Sequence, residues 1–201
     1  MVAYPRLSLV LPVFNVAPYL RQCLDSLCQA GLDGTEIILV NDGSTDGSAA
    51  ILEEYRARHP HVIQIIHQDN AGISMARHRG LAVASGEFVA FPDPDDFLVG
   101  DYYHRLVALA QQYDLDMAHG NAMYHFDGRQ ADYPIYRDCL ATQVMTGREV
   151  LRRRLRDRVL LHMVWMHVYR RRFIEAANLS FPRGMAHQDV PWTCLLYTSR
   201  A

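Results

Sequence analysis

Three carboxylates, Asp93, Asp95 and Asp96, follow directly on an apolar run in the stretch FVAFPDPDDFL, Phe88 to Leu98. Val89, Ala90 and Phe91 read as a strand buried on both faces, which puts the carboxylates at its C-terminal edge, where open α/β sheets bind ligands. Oxygen ligands in such a place suit a hard cation, Mg²⁺ or Mn²⁺, carrying a substrate phosphate. A solvated acidic turn kinked at Pro94 has the same composition, because short Asp clusters are common in turns. Two more strand ends carry polar groups, Phe14-Asn15 and Asn41-Asp42. A nucleotide lying across the edge would have its base held by these two and its phosphates by a cation on the third. Asp42 suits acceptance from a base N–H, and equally an Asx bond within its own turn with Gly43 and Ser44. Neither GxGxxG nor GxxxxGK[ST] occurs, so a dinucleotide fingerprint and a P-loop are both absent.

The elements that position these groups alternate. Leu7 to Val13 reads as a buried strand stopped by Phe14-Asn15. Pro18 then opens a helix with Leu20, Cys23, Leu24 and Leu27 at helical spacing, ended by Gly31. Glu36 to Val40 is a second strand, followed by a turn and a helix capped by Asp46 or Ser48 that runs to about His59. Val62 to His67 is a third strand, Ser74 caps a helix through Ala84 closed by Gly86, and Phe88 to Phe91 is the fourth. Such alternation predicts a mostly parallel sheet with helices on both faces, a Rossmann-like three-layer α/β fold. Beyond it, Tyr102 to Tyr113 reads as a helix, Met117 to Tyr124 as a strand and Gly128 to Ala141 as a loop. Thr146 and Glu149 form a capping-box pattern opening an Arg-rich helix from Val150 to about Arg158. Leu160 to Tyr169 is apolar and aromatic, and Arg171 to Asn178 is helical in pattern.

Half of the 201 residues are hydrophobic, enough for one sizeable core, and no internal repeat or low-complexity linker divides the chain. A net charge of −2 gives no field that would draw the protein to nucleic acid. All 20 basic residues are Arg, for which folding offers no reason. Cys23, Cys28, Cys139 and Cys194 form no CxxC pair, which predicts reduced thiols in a cytosolic protein and no zinc site. The first apolar run, interrupted by Pro12 and Asn15, is too short for a signal peptide or a membrane span. The expected location is the cytoplasm, with peripheral contact at the inner membrane through a surface patch left open.

The ordered set LVLPVFN at 9 to 15, VNDGSTDGS at 40 to 48, NAGISMARHRG at 70 to 80, SGEFVAFPDPDDFL at 85 to 98 and HQDVPWT at 187 to 193 resembles the inverting family 2 glycosyltransferases of the GT-A fold. The resemblance covers roughly Leu7 to Thr193 and makes 1–193 the catalytic domain. From Cys194 the tail CLLYTSRA no longer resembles the family, and it reads as an unreliable end to a truncated chain.

The resemblance implies a UDP-sugar donor and a Mn²⁺ or Mg²⁺ cofactor. Pro12, Val13, Phe14 and Asn15 would line the uridine pocket, Asp42 would bind the uracil edge, and Arg77 would reach the base or the diphosphate. The DxD positions fall on Asp93 and Asp95, with Asp95 the expected direct metal ligand, Asp93 on ribose or metal, and Asp96 a third carboxylate. Asp189, in the family's Glu-Asp position with Gln188 for Glu, would be the general base. A helix N-cap is its other reading. His78 stands for the family's usual Asn, and Pro94 for a small residue.

A narrower likeness, carried by His162 to Met166, Tyr169 to Arg171 and His187 to Thr193, is to the bacterial lipopolysaccharide-core heptose glucuronosyltransferases. It implies UDP-glucuronic acid as donor and a saccharide or lipopolysaccharide-core acceptor. An Arg from 152–158 or 170–172 would pair with the donor carboxylate, and Trp165, His187, Gln188 and Trp192 would be acceptor contacts, the tryptophans being equally apt as core. Alternatives are transfer of glucose, galactose or N-acetylglucosamine in capsule synthesis, an inactive sugar-nucleotide-binding fragment, and a nucleotidyltransferase. LPVFN is neither Gly-rich nor basic, as the last would require.

Overall fold

Strand β1 (Leu7–Val13) is buried at every position, and its side chains divide between two cores by the period-two rule of a strand. Leu7, Leu9, Leu11 and Val13 face one core and Val10 faces the other. The computed structural model describes residues 6–126, 128, 132–136, 143–157, 162–185 and 187–198.

The first core lies under α1 (Ala17–Gln29), α2 (Ser48–Arg58) and α4 (Tyr102–Gln112), which contribute Leu20, Leu24, Leu27, Leu52, Tyr103 and Leu106. On the other face α3 (Ile73–Val83), α6 (Arg171–Ala176) and α7 (Asp189–Thr198) cover Val10, Ile38, Val40, Val89 and Phe91. Between them runs a six-stranded sheet in the order β3-β2-β1-β4-β8-β5. Strands β2 (Thr35–Asp42), β3 (Ile63–Gln68) and β4 (Phe88–Ala90) are parallel to β1 as expected, whereas β8 (His167–Arg170) runs antiparallel to both β4 and β5 (Met117–His119). The chain moves outward from β1 to β3 and then returns to pair β4 on β1's other side. That reversal makes the C-terminal ends of β1 and β4 a topological switch point, where open α/β sheets bind ligands.

Helix α3 sits close on the sheet because Gly80 lacks a side chain. A Cβ there would lie 2.3 Å from Val10 Cγ1. Helix α3 is capped by Gly72 in the left-handed region (φ 88°), and Ser74, the expected cap, is buried in the first turn. The strand expected over 117–124 is two. Asn121 donates to Tyr136 O (2.8 Å) and accepts from Tyr136 N (3.0 Å), which turns β6 (Met123–Tyr124) away to pair with β7 (Tyr133–Pro134) as a separate ribbon. The capping box at Thr146 and Glu149 forms and opens α5 (Gly147–Arg156). Helix α7 runs through the expected boundary at 193 without a break, and Leu196 and Tyr197 are buried in it. Cys139 and Arg158 lie outside the described residues, and Cys23, Cys28 and Cys194 are free thiols. Among the described residues no helix is long and apolar enough to cross a membrane.

An aromatic cluster joins the end of β4 to the start of α7. The Trp192 indole stacks on Phe181 at 4.1 Å and meets Phe91 and Tyr169 edge-on at 5.8 and 5.7 Å. Trp192 is fully buried. Trp192→Ala is therefore expected to cost about 3–5 kcal/mol, read as a lowered midpoint in urea unfolding.

His167 gives the fold a pH dependence. Burial, helped by the neighbouring His119 ring at 5.2 Å, pushes its imidazole down to about 3, so the folded protein holds it neutral. An unfolded His takes up its proton near pH 6.5, so below that pH the unfolded state binds more protons and stability falls as pH falls. Between pH 6.5 and 5.5 the wild type should lose about 1 kcal/mol more than His167→Gln, measured by urea unfolding at each pH.

Candidate active site

The first two strand-end loops are stitched together by their own polar groups. Asn15, in the left-handed region (φ 52°), accepts from Thr45 N at 2.8 Å and donates its own N–H to Ser44 Oγ at 3.2 Å. Asp46 accepts from Ala17 N (3.0 Å) and Ser48 N (2.9 Å), so it serves the first turns of α1 and α2 together. The Asp42 carboxylate accepts from Ala71 N (2.8 Å), Gly72 N (2.9 Å) and Gln68 Nε2 (2.6 Å) and is 2% exposed. It thus anchors the loop that leads into α3. Gly43, in the left-handed region (φ 73°), lets that loop approach, since a Cβ there would meet Asn70 N at 2.9 Å.

These contacts involve the residues expected to line the base pocket. Pro12 and Val13 are buried within β1, and Asn15 and Asp42 have their oxygens engaged by the protein. A carboxylate accepting three hydrogen bonds keeps about one of its roughly four acceptor sites. Phe14, at 45% exposure, and Asn15 are the exposed residues of that stretch.

The acidic loop after β4 has two environments. Asp93 is half-buried, and Asp95 and Asp96 are exposed. Burial raises the Asp93 carboxyl to about 6. The Arg77 guanidinium opposes the rise, and the charges of Asp96 and Asp95 add to it. The loop is fastened by Leu98 N donating to Ser26 Oγ (2.9 Å) and by the turn bond from Asp96 N to Asp93 O (3.2 Å).

Arg77, on α3, is the group that sequence reasoning placed differently. Its Nη2 donates to Asp93 Oδ1 at 2.6 Å and its Nη1 to Asp189 Oδ1 at 3.2 Å, and it is 1% exposed. One buried guanidinium thereby holds the acidic loop and the first residue of α7, from sequence separations of 16 and 112 residues. Asp189 also gains from the partial positive charge at the start of α7. The Arg77 guanidinium carbon lies over the Phe181 ring, 5.4 Å from its centroid. No sequence signal joins Phe181 to this site, because stacking partners obey no spacing.

Among the described residues no three His, Cys, Asp or Glu side chains converge as a metal cage. The donor set of Asp93 and Asp95 still fits a hard cation, which takes one or two carboxylates and completes its shell with waters and substrate phosphates.

The other expected contacts divide. Trp192 is core, with no face free for an acceptor, and Gln188 is buried. Trp165 is half-buried, with its carbonyl accepting from Tyr103 OH at 2.6 Å. His187 is exposed beside Asp189. Arg170 lies at the sheet's far edge, stacked over Phe88 and paired with Glu87 and Asp114 (both 2.9 Å), and Arg171 pairs with Glu175 at 2.6 Å. The register Phe88↔Arg170 puts them at the start of β4, away from Asp93. In α5, Arg153 donates to Gln143 (2.7 Å) and Arg154 stacks on Tyr136 (4.0 Å). A cavity of about 920 Å³ opens between α4, β5, α5 and the end of α7, lined by Tyr102, Leu106, His119 and Tyr136 among others. None of Arg77, Asp93, Asp95 or Asp189 lines it, so the volume and the carboxylate chemistry are separate features.

The same architecture is found in known proteins. The chain is 42% identical over 190 residues, 94% of its length, to the uncharacterized glycosyltransferase YibD of Escherichia coli. A shorter match, 38% over 93 residues, 45% of this chain and 10% of the relative, is to the minor teichoic acid biosynthesis protein GgaB of Bacillus subtilis. The solved structure of Staphylococcus aureus TarS 1–349 in complex with UDP-GlcNAc superposes with a TM-score of 0.77 at 22% identity, covering 96% of this chain and 53% of that one, a likeness of GT-A fold. The chain spans about half the length of YibD, 55%. The model of glycosyl transferase family 2 matches residues 8–177, and the chain belongs to that family.

Proposed function

We propose that this chain carries the donor site and the base of an inverting glycosyltransferase that moves a sugar from a UDP-sugar to a hydroxyl of a cell-surface saccharide. The observation that carries the reading is the Arg77 bridge, which brings a base candidate, Asp189, beside the acidic edge that suits a donor diphosphate. Asp95, exposed, and Asp93, half-buried, would hold Mn²⁺ or Mg²⁺. Such a cation supplies neutralisation of the charge developing on the diphosphate leaving group. The exposed Phe14 ring would face the uracil, with Pro12, Val13, Asn15 and Asp42 as the fixed wall behind it. Asp189 would take the proton of the acceptor hydroxyl, a poor nucleophile until that proton leaves, on the face opposite UDP. His187, exposed beside it, would be an acceptor contact.

A UDP donor is supported by TarS, whose structure holds UDP-GlcNAc, and a surface-polymer acceptor by the teichoic acid protein GgaB. The relatives lend no specific support to the narrower glucuronic acid and heptose reading, and of its candidate arginines Arg170 and Arg171 are paired at the opposite edge. UDP release measured with UDP-glucuronic acid, UDP-glucose, UDP-galactose and UDP-N-acetylglucosamine selects the sugar. Release from none of them, with acceptor saccharides present, contradicts the proposal.

Two substitutions separate the roles. Asp95→Ala should weaken Mn²⁺-dependent UDP binding by about tenfold or more, measured calorimetrically with and without Mn²⁺. Asp189→Asn should leave that binding within about twofold while lowering kcat by about 10²–10⁴.

A further inference from the structure

Building on the proposed roles of Asp93 and Asp189, we infer that Arg77 is a positioning residue that ties the base to the donor's cation site and does not itself bind the donor. Its guanidinium is 1% exposed and has no open face for a nucleotide. Nη2 donates to Asp93 Oδ1 and Nη1 to Asp189 Oδ1, Nε is buried with no hydrogen-bond partner among the described residues, and the Phe181 ring lies 5.4 Å from the guanidinium carbon. The side chain is carried by α3, which is seated on β1 at Gly80, so the fork starts from a fixed element.

A planar guanidinium presents donors at a set angle and separation. Bound through one oxygen each, the two carboxylates are held at a separation that the fork determines. Among the described residues, Oδ2 of Asp93 and Oδ2 of Asp189 accept no hydrogen bond. Those oxygens remain available, one for a cation and the other for an acceptor hydroxyl. Two negative charges also share one positive charge. A cation drawing on Asp93 leaves more of the guanidinium's attraction to Asp189, so donor loading and base placement are linked, and the linkage is reciprocal.

Arg77→Met and Arg77→Lys, compared with Asp189→Asn and with the Arg77→Met/Asp189→Asn pair, test this. Each is assayed for kcat at saturating UDP-sugar and for UDP affinity in Mn²⁺. Misplacing the base predicts a fall in kcat of about a hundredfold with UDP affinity within about threefold. The double variant should be no slower than Asp189→Asn alone. Lys, a single charged point that cannot span both carboxylates, should be as impaired in kcat as Met. If Met unfolds the chain, Lys, checked by thermal melting, carries the comparison.

A loss of UDP affinity of about a hundredfold with kcat retained would make Arg77 a donor ligand and overturn the inference. Wild-type kcat in Arg77→Lys would overturn it too. Asp189→Asn with wild-type kcat would instead remove the base assignment, and the inference with it. A crippled Asp189→Asn beside a fully active Arg77→Met faults the positioning role alone.

Discussion

Arg77 donates to Asp93 and Asp189 from a site where water scarcely reaches it, and the rest of this sheet edge is arranged around that pair of contacts. A buried guanidinium without a carboxylate carries a heavy desolvation penalty, and so does a half-buried carboxylate without a cation. Each member of the trio therefore stays where it is because the other two are there. Burial, with the charges of Asp96 and Asp95 added to it, keeps the Asp93 carboxyl at about 6 even with a cationic partner. A site in this condition favours the arrival of further positive charge.

The two cores explain how so small a constellation is held still. Helix α3 is pressed on β1 and β2 because Gly80 allows it, and it carries Arg77 from below. From the other side, Trp192, three residues after Asp189, stacks on Phe181, and both meet Phe91, the residue before Pro92-Asp93. Aromatic packing of this kind fixes backbone direction as well as separation. The acidic loop and the start of α7 thus share one block of buried rings, and the guanidinium spans a gap whose walls cannot drift.

The donor-side loops obey a different economy of contacts. Asn15, Ser44, Thr45 and Asp46 bind one another, and Asp42 binds the loop before α3. Polar side chains at strand ends invite a ligand-binding reading, yet backbone N–H groups of irregular loops must also be satisfied. Here the loop backbone claims most of those oxygens. Phe14 is left to present its ring at the edge.

From its sequence alone, this chain discloses the order of its elements and the chemistry of its edge. Apolar runs of β-branched residues, Gly and Asp-rich turns and the alternation with amphipathic helices act over a few residues, so β1 to β4 and α1 to α3 could be read locally. The ordered motifs likewise marked Asp93, Asp95 and Asp189. Tertiary structure alone decided who touches whom. The antiparallel course of β8 put Arg170 and Arg171 at the far edge, the stacking of Trp192 on Phe181 took an expected acceptor contact into the core, and Arg77 came to pair with two carboxylates. Each of these rests on contacts between residues distant in the chain, and no local pattern records which distant charge or ring will be nearest once the sheet has formed.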